Sequence, residues 1–88
     1  MTTELIRRAL TDALQPKSLE IIDNSAAHAG HAGVRSGGGH YYVSIVADAF
    51  EGKSLVQRHQ LIYKALGDLM KHEIHALGIN AISPSEEN

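Results

Sequence analysis

A chain of 88 residues has room for one domain. At this size folding buries roughly 60% of the unfolded surface, which allows a single small core. Eight basic and ten acidic residues leave a net charge of −2, which argues against a general binder of nucleic acid or anionic membranes. The absence of cysteine excludes disulfides, cysteine-ligated zinc, thiol catalysis and iron–sulfur ligation by thiols of this chain. No run approaches the ~20 apolar residues of a membrane span, and MTTELIRRAL lacks the apolar core and cleavage pattern of a signal peptide. The expectation is a soluble, cytoplasmic protein with no membrane partner, and its main chemical resource is six histidines.

In chain order, Leu5, Ile6, Ala9, Leu10, Ala13 and Leu14 recur at helical spacing, with Thr2 or Thr3 as N-cap and Pro16 as terminator. SLEIIDN (18–24) reads as a short strand with Leu19 and Ile21 on one face. A histidine- and glycine-rich loop then runs to about Gly39. HYYVSIVAD (40–48) is the clearest strand, alternating Tyr41, Val43, Ile45 and Ala47 against His40, Tyr42 and Ser44. A turn containing Gly52 leads to Ser54, which caps a long helix reaching about Met70. The stripe of this helix is Leu55, Val56, His59, Ile62, Tyr63, Leu66, Leu69 and Met70, and Gly67 weakens it by about 1 kcal/mol relative to alanine. The last strand, IHALGINAI (74–82), places His75, Leu77, Ile79 and Ala81 on one face, and residues 83–88 form a polar tail.

The order is α-β-β-α-β in a single domain over 1–88. Strands one and two should be antiparallel, and the crossover helix should return strand three parallel to a neighbour. The fold class is α+β, a three-stranded mixed sheet with helices on one face. An exposed sheet edge leaves open self-association of the isolated chain into a homodimer.

The residues by themselves mark no active site. HAGH sets His28 and His31 three apart in the loop, a beginning of metal ligation that competes with solvated histidines. GHAG (30–33) has the G-x-x-G form of a KH nucleic-acid clamp, but it joins two strands rather than two helices. HEIHA (72–76) misses the H-E-x-x-H zinc-protease spacing by one residue. His59 on the helix stripe and His75 on the inward strand face read as packed, hydrogen-bonded residues.

Three longer blocks carry a resemblance. IDNSAAHAGHAG (22–33), FEGKSLVQRHQLIYKAL (50–66) and HALGINAISPSE (75–86), in that order, closely resemble the BolA family along nearly the whole chain. The resemblance implies the same α-β-β-α-β order with a short extra helical turn, a BolA-like fold akin to class II KH domains. It implies a non-enzymatic partner of monothiol glutaredoxins of the C-G-F-S type. The resulting heterodimer would share a 2Fe–2S cluster with a glutaredoxin cysteine and glutathione, in cluster assembly, trafficking or iron and redox sensing. The isolated chain would carry no cofactor. Two metal ligands are implied on this side: His75, which matches the family's histidine at the start of the last strand, and a residue of the loop. With no cysteine present the loop ligand must be histidine, which indicates the histidine-loop class; His28 sits at the matching count, with His31 as the alternative. His59 stays structural.

A second reading takes the KH-like topology and the family's association with transcriptional regulation as direct DNA or RNA binding. Lys53, Arg58, Lys64 and Lys71 would then form the contact stripe, with the helix around Val56 to Tyr63 entering a groove. A third is a metal-free adaptor docking on glutaredoxin through the last strand and tail.

Overall fold

Apolar side chains on alternate residues of the three strands give the sheet one dry face and one open face. A computed structural model describes residues 2–24 and 39–87 of the chain. Its elements are α1 (Thr2–Leu14), β1 (Ser18–Asp23), β2 (Gly39–Val46), α2 (Leu55–Leu66), a one-turn α3 (Leu69–His72) and β3 (Ile74–Ile82). Short 3-10 turns occupy Asp48–Phe50 and Pro84–Glu86. The sheet order is β1-β2-β3, with β1 antiparallel and β3 parallel to β2, as the element order predicts. This is the expected α+β class. No helix among the described residues is long and apolar enough to cross a membrane.

The register puts Leu19, Ile45 and Ala81 in one row and Ile21, Val43 and Ile79 in the next. These rows face the helices, where Val43, Ile45 and Ala81 join Ile6 and Leu10 of α1, Ile62 and Leu66 of α2, and Phe50 in one core. On the open face Ile22, Tyr42 and Gly78 share a row, and Ile22 and Tyr42 are exposed. Gly78 is needed there because a Cβ would stand 2.7 Å from the Tyr42 ring. Asn80 donates to Ser44 Oγ at 3.2 Å along the same face.

Several expectations are corrected. Neither Thr2 nor Thr3 caps α1: the helix already includes both, and Thr2 Oγ1 donates to Glu73 Oε1 at 3.1 Å. At the other end Gln15 takes a positive φ of 47° before Pro16, which stops the helix. The long helix does not run to Met70. Gly67 ends α2 in a positive-φ conformation, its N–H bonding to Tyr63 O, and α3 follows as a separate turn. Ser54 caps α2 as predicted, its Oγ accepting from Gln57 N at 3.1 Å, and the structure adds the reciprocal bond in which Gln57 Oε1 accepts from Ser54 N at 2.9 Å.

The stripe of α2 is also rotated. Leu55, Val56 and Tyr63 are exposed, while Arg58, Ile62 and Leu66 form the buried line at four-residue spacing. The helix carries more apolar residues than one face can bury, and docking on the sheet selected the line through Arg58.

The polar tail is folded onto the domain. Ser83 is buried, Ser85 N and Oγ each donate to the Glu51 carboxylate at 2.9 Å, and Glu86 pairs with Arg58. Hydrogen bonds from Arg58, then from Ser83, lower the Glu86 carboxyl from 4.5 to about 2. A depressed carboxyl contributes stability in full above its ordinary range and loses it as pH falls through the folded value. The contribution of this pair therefore disappears between pH 4.5 and about 2. Comparing Tm against pH for the parent and Glu86→Gln tests this. The gap between the curves should be constant above pH 5 and should close toward pH 2. A gap independent of pH would show that the carboxylate charge contributes nothing.

Candidate functional site

The candidate site begins with an interruption of strand pairing. Gly39 pairs with Ile74, but the next residue, His40, pairs with Ala76, so β3 carries one extra residue, His75. Such a bulge re-aims the side chain it adds. Ile74 stays in the core and Leu77, Ile79 and Ala81 follow the inward face. His75 is displaced from that alternation and exposed, so its expected inward position is corrected. Simple period-two counting gives the wrong face because the bulge shifts the phase.

The same shift brings His75 beside His40, the two ring centroids 5.2 Å apart with planes tilted by 47°. His40 is half-buried and belongs to the outward set of β2 with Tyr42 and Ser44. Its backbone is fixed by Asn24 N, which donates to His40 O at 2.7 Å, and Gly39 N donates to Glu73 O at 3.0 Å. The histidine-rich connection therefore leaves the sheet at Asn24 and re-enters it at Gly39, at the end of the sheet that carries His75. His28 and His31 lie outside the described residues.

His40 is the residue that sequence reasoning passed over as a strand start. The signal was present: His40 and His75 both open strands that were expected to run in parallel. Among the described residues no three histidine, aspartate or glutamate side chains gather as a metal site. The available donors are imidazole nitrogens, suited to zinc, copper or iron, and a cluster held here needs further donors from elsewhere. An exposed imidazole at a sheet end fits that role as one contributor.

His59 is partly buried on α2, its ring edge-on to Tyr63 at 6.5 Å, well apart in sequence from the strand starts and in keeping with a packing role. The four cationic residues do not form one stripe. Lys53 and Lys64 line a shallow groove with Gln57, Gln60 and Leu61, and Lys71 is exposed on α3 at 3.9 Å from Asp68. Arg58 is corrected outright: it is only 6% exposed and cannot reach a phosphate. Its Nε donates to Lys53 O and its Nη1 to Ala81 O, both at 3.0 Å, and its Nη1 and Nη2 reach Glu86 at 2.6 and 3.3 Å. Val56, at the start of the supposed recognition helix, is exposed at 66%.

Fold and site together define a small α+β domain whose mixed sheet presents two imidazoles where its parallel strands begin. Comparison with known proteins makes the family explicit: the profile for BolA-like protein matches residues 10–86, and the chain belongs to the BolA-like family. It is similar to SufE-like protein 1, chloroplastic/mitochondrial, of Arabidopsis thaliana, 50% identical over 92% of this chain and 23% of that protein. The DNA-binding transcriptional regulator BolA of Escherichia coli (strain K12) is 35% identical over 98% of this chain and 79% of that protein. Among solved structures, BolA1 from Arabidopsis thaliana superposes with a TM-score of 0.83 at 35% identity, covering 100% of this chain and 98% of that one. The chain spans between 23% and 57% of the length of several curated relatives, including BolA-like protein 1 of Mus musculus.

Proposed function

We propose that this protein is a non-enzymatic partner of monothiol, C-G-F-S-type glutaredoxins, with which it shares a glutathione-ligated 2Fe–2S cluster. The observation that carries the reading is the bulge that turns His75 out to solvent, at the sheet end where the histidine-rich connection starts and finishes. BolA-like family membership supports it, as does similarity to a SufE-like protein. His75 supplies one imidazole and the connection supplies a second, His28 with His31 as the alternative. Cysteine and glutathione thiols come from the partner side. Imidazole ligation shifts the potential of such a cluster upward relative to ligation by thiolates alone. The role of this chain is to hold a neutral nitrogen donor at an accessible, fixed backbone position.

The test mixes the protein with cluster-loaded monothiol glutaredoxin and glutathione. Visible absorption and circular dichroism should change as the mixed complex forms, and His75→Ala should abolish the change while leaving the far-ultraviolet spectrum unaltered. Unchanged visible spectra with His75→Ala would remove His75 from the ligand set. Comparing His28→Ala with His31→Ala assigns the loop ligand.

A second reading is favoured by one comparison, the similarity to a relative named as a DNA-binding transcriptional regulator. On this chain direct nucleic-acid binding would rest on Lys53, Lys64 and Lys71, without Arg58. It requires measurable affinity at low salt with a steep decline as salt rises. Absence of binding at low salt disposes of it.

A further inference from the structure

We infer that the solvent side of α2 is a docking surface for an acidic amphipathic helix of a protein partner.

Among the described residues six large apolar side chains are exposed, and three of them, Leu55, Val56 and Tyr63, belong to α2. Val56 and Tyr63 stand two helical turns apart on one face, exposed at 66% and 42%. His59 falls between them in sequence, its ring edge-on to Tyr63. A second helix lays its own apolar stripe on a ridge with this spacing. Clustered exposed apolar side chains of this kind mark interaction sites.

The charge of the surface selects the occupant. Beside the ridge runs a shallow groove lined by Gln57, Gln60 and Leu61, with Lys53 before the first turn of α2 and Lys64 in its last. The sequence of α2 contains no carboxylate. The carboxylates that flank it in the chain are turned elsewhere: Glu51 accepts from Ser85, and Asp68 faces Lys71. The chain carries a net charge of −2, so this face is cationic against the sign of the whole molecule. Its electrostatic complement is a helix whose apolar stripe is flanked by glutamate or aspartate. A second copy does not fit, because two α2 helices laid antiparallel would bring Lys53 of one toward Lys64 of the other. A phosphate backbone would satisfy the lysines but leave Leu55, Val56 and Tyr63 facing charge.

The surface is also distinct in place from the strand starts. Arg58 donates to Ala81 O at the end of β3, so the first half of α2 lies at the opposite end of the sheet from His75. A helix seated there leaves His75 open.

The experiment titrates the full chain into a fluorescein-labelled helical peptide of about 18 residues, with leucine at the a and d positions and glutamate at e and g. Saturable binding that weakens as salt rises is expected, with ¹H–¹⁵N shifts concentrated between Lys53 and Lys64. Val56→Ser and Tyr63→Ser should each weaken it about fivefold or more, and Lys53→Gln with Lys64→Gln about tenfold with loss of the salt dependence. Tyr63→Phe and His75→Ala should bind as the parent does. All these side chains are exposed, so unchanged urea midpoints separate lost docking from lost folding. Any of four results would overturn the surface: no binding, equal binding of a peptide with lysine in place of glutamate, indifference to Val56→Ser and Tyr63→Ser, or tighter capture of a DNA duplex or anionic vesicles by the same residues. A concentration-dependent dimer abolished by Tyr63→Ser would give the face to a second copy and overturn it as well.

Discussion

Arg58→Ala is expected to destabilise the domain by about 2–4 kcal/mol, because its charged hydrogen bonds are spent inside the protein. Two of them go to the backbone carbonyls of Lys53 and Ala81, which join the turn before α2 to the end of β3. Removing the guanidinium leaves those carbonyls without this donor and unpins the tail at Glu86. The Glu86 contact is half-exposed, so most of the loss comes from the carbonyl contacts and the buried stem. For a domain of this length the loss lowers Tm by at least about 10 °C. Arg58→Lys should recover less than half of it, since an ammonium cannot reproduce the planar fork. Thermal unfolding of the three proteins decides the matter. An Arg58→Ala protein as stable as the parent would contradict the structural role.

Phe50→Ala should cost about 3–5 kcal/mol, the largest single effect expected in this protein. Phe50 is fully buried in the turn that joins β2 to α2, and among the described residues it is the largest fully buried side chain. Its backbone also ties that turn together, with Phe50 N bonding to Ala47 O and Lys53 N to Phe50 O, both at 3.1 Å. Small domains hold about 5–15 kcal/mol in total, so this one change removes a large share. Phe50→Leu, which keeps much of the volume, should cost about half as much. Urea unfolding should show a lower midpoint with an unchanged slope. A loss under about 1 kcal/mol would mean that the cavity collapses and that Phe50 does not organise the core.

The contrast between these residues shows what a linear reading reaches. Phe50 lies in a block that carries the family likeness, and a large apolar side chain of this kind is more often buried than exposed. Arg58 lies in the same block, yet its charge marked it as a surface contact. Burial of an arginine depends on acceptors contributed by Lys53, Ala81 and Glu86 from other parts of the chain. No local pattern records that arrangement.

His75 divides in the same way. Its candidacy as a ligand rested on the H-A-L motif, because periodicity alone turned it toward the core. Its exposure and its place beside His40 come from a one-residue slip in pairing between strands about 35 positions apart.

The order of elements, the dry face of the central strand, the Ser54–Gln57 cap and the sheet's mixed sense were determined by the sequence itself. Each depends on spacing within a short segment or on the handedness of one crossover. Only the tertiary structure decided which line of α2 is buried, where Gly67 stops it, how the tail is latched and which histidines meet. Those outcomes depend on competition between faces and on contacts that exist only once the strands have paired.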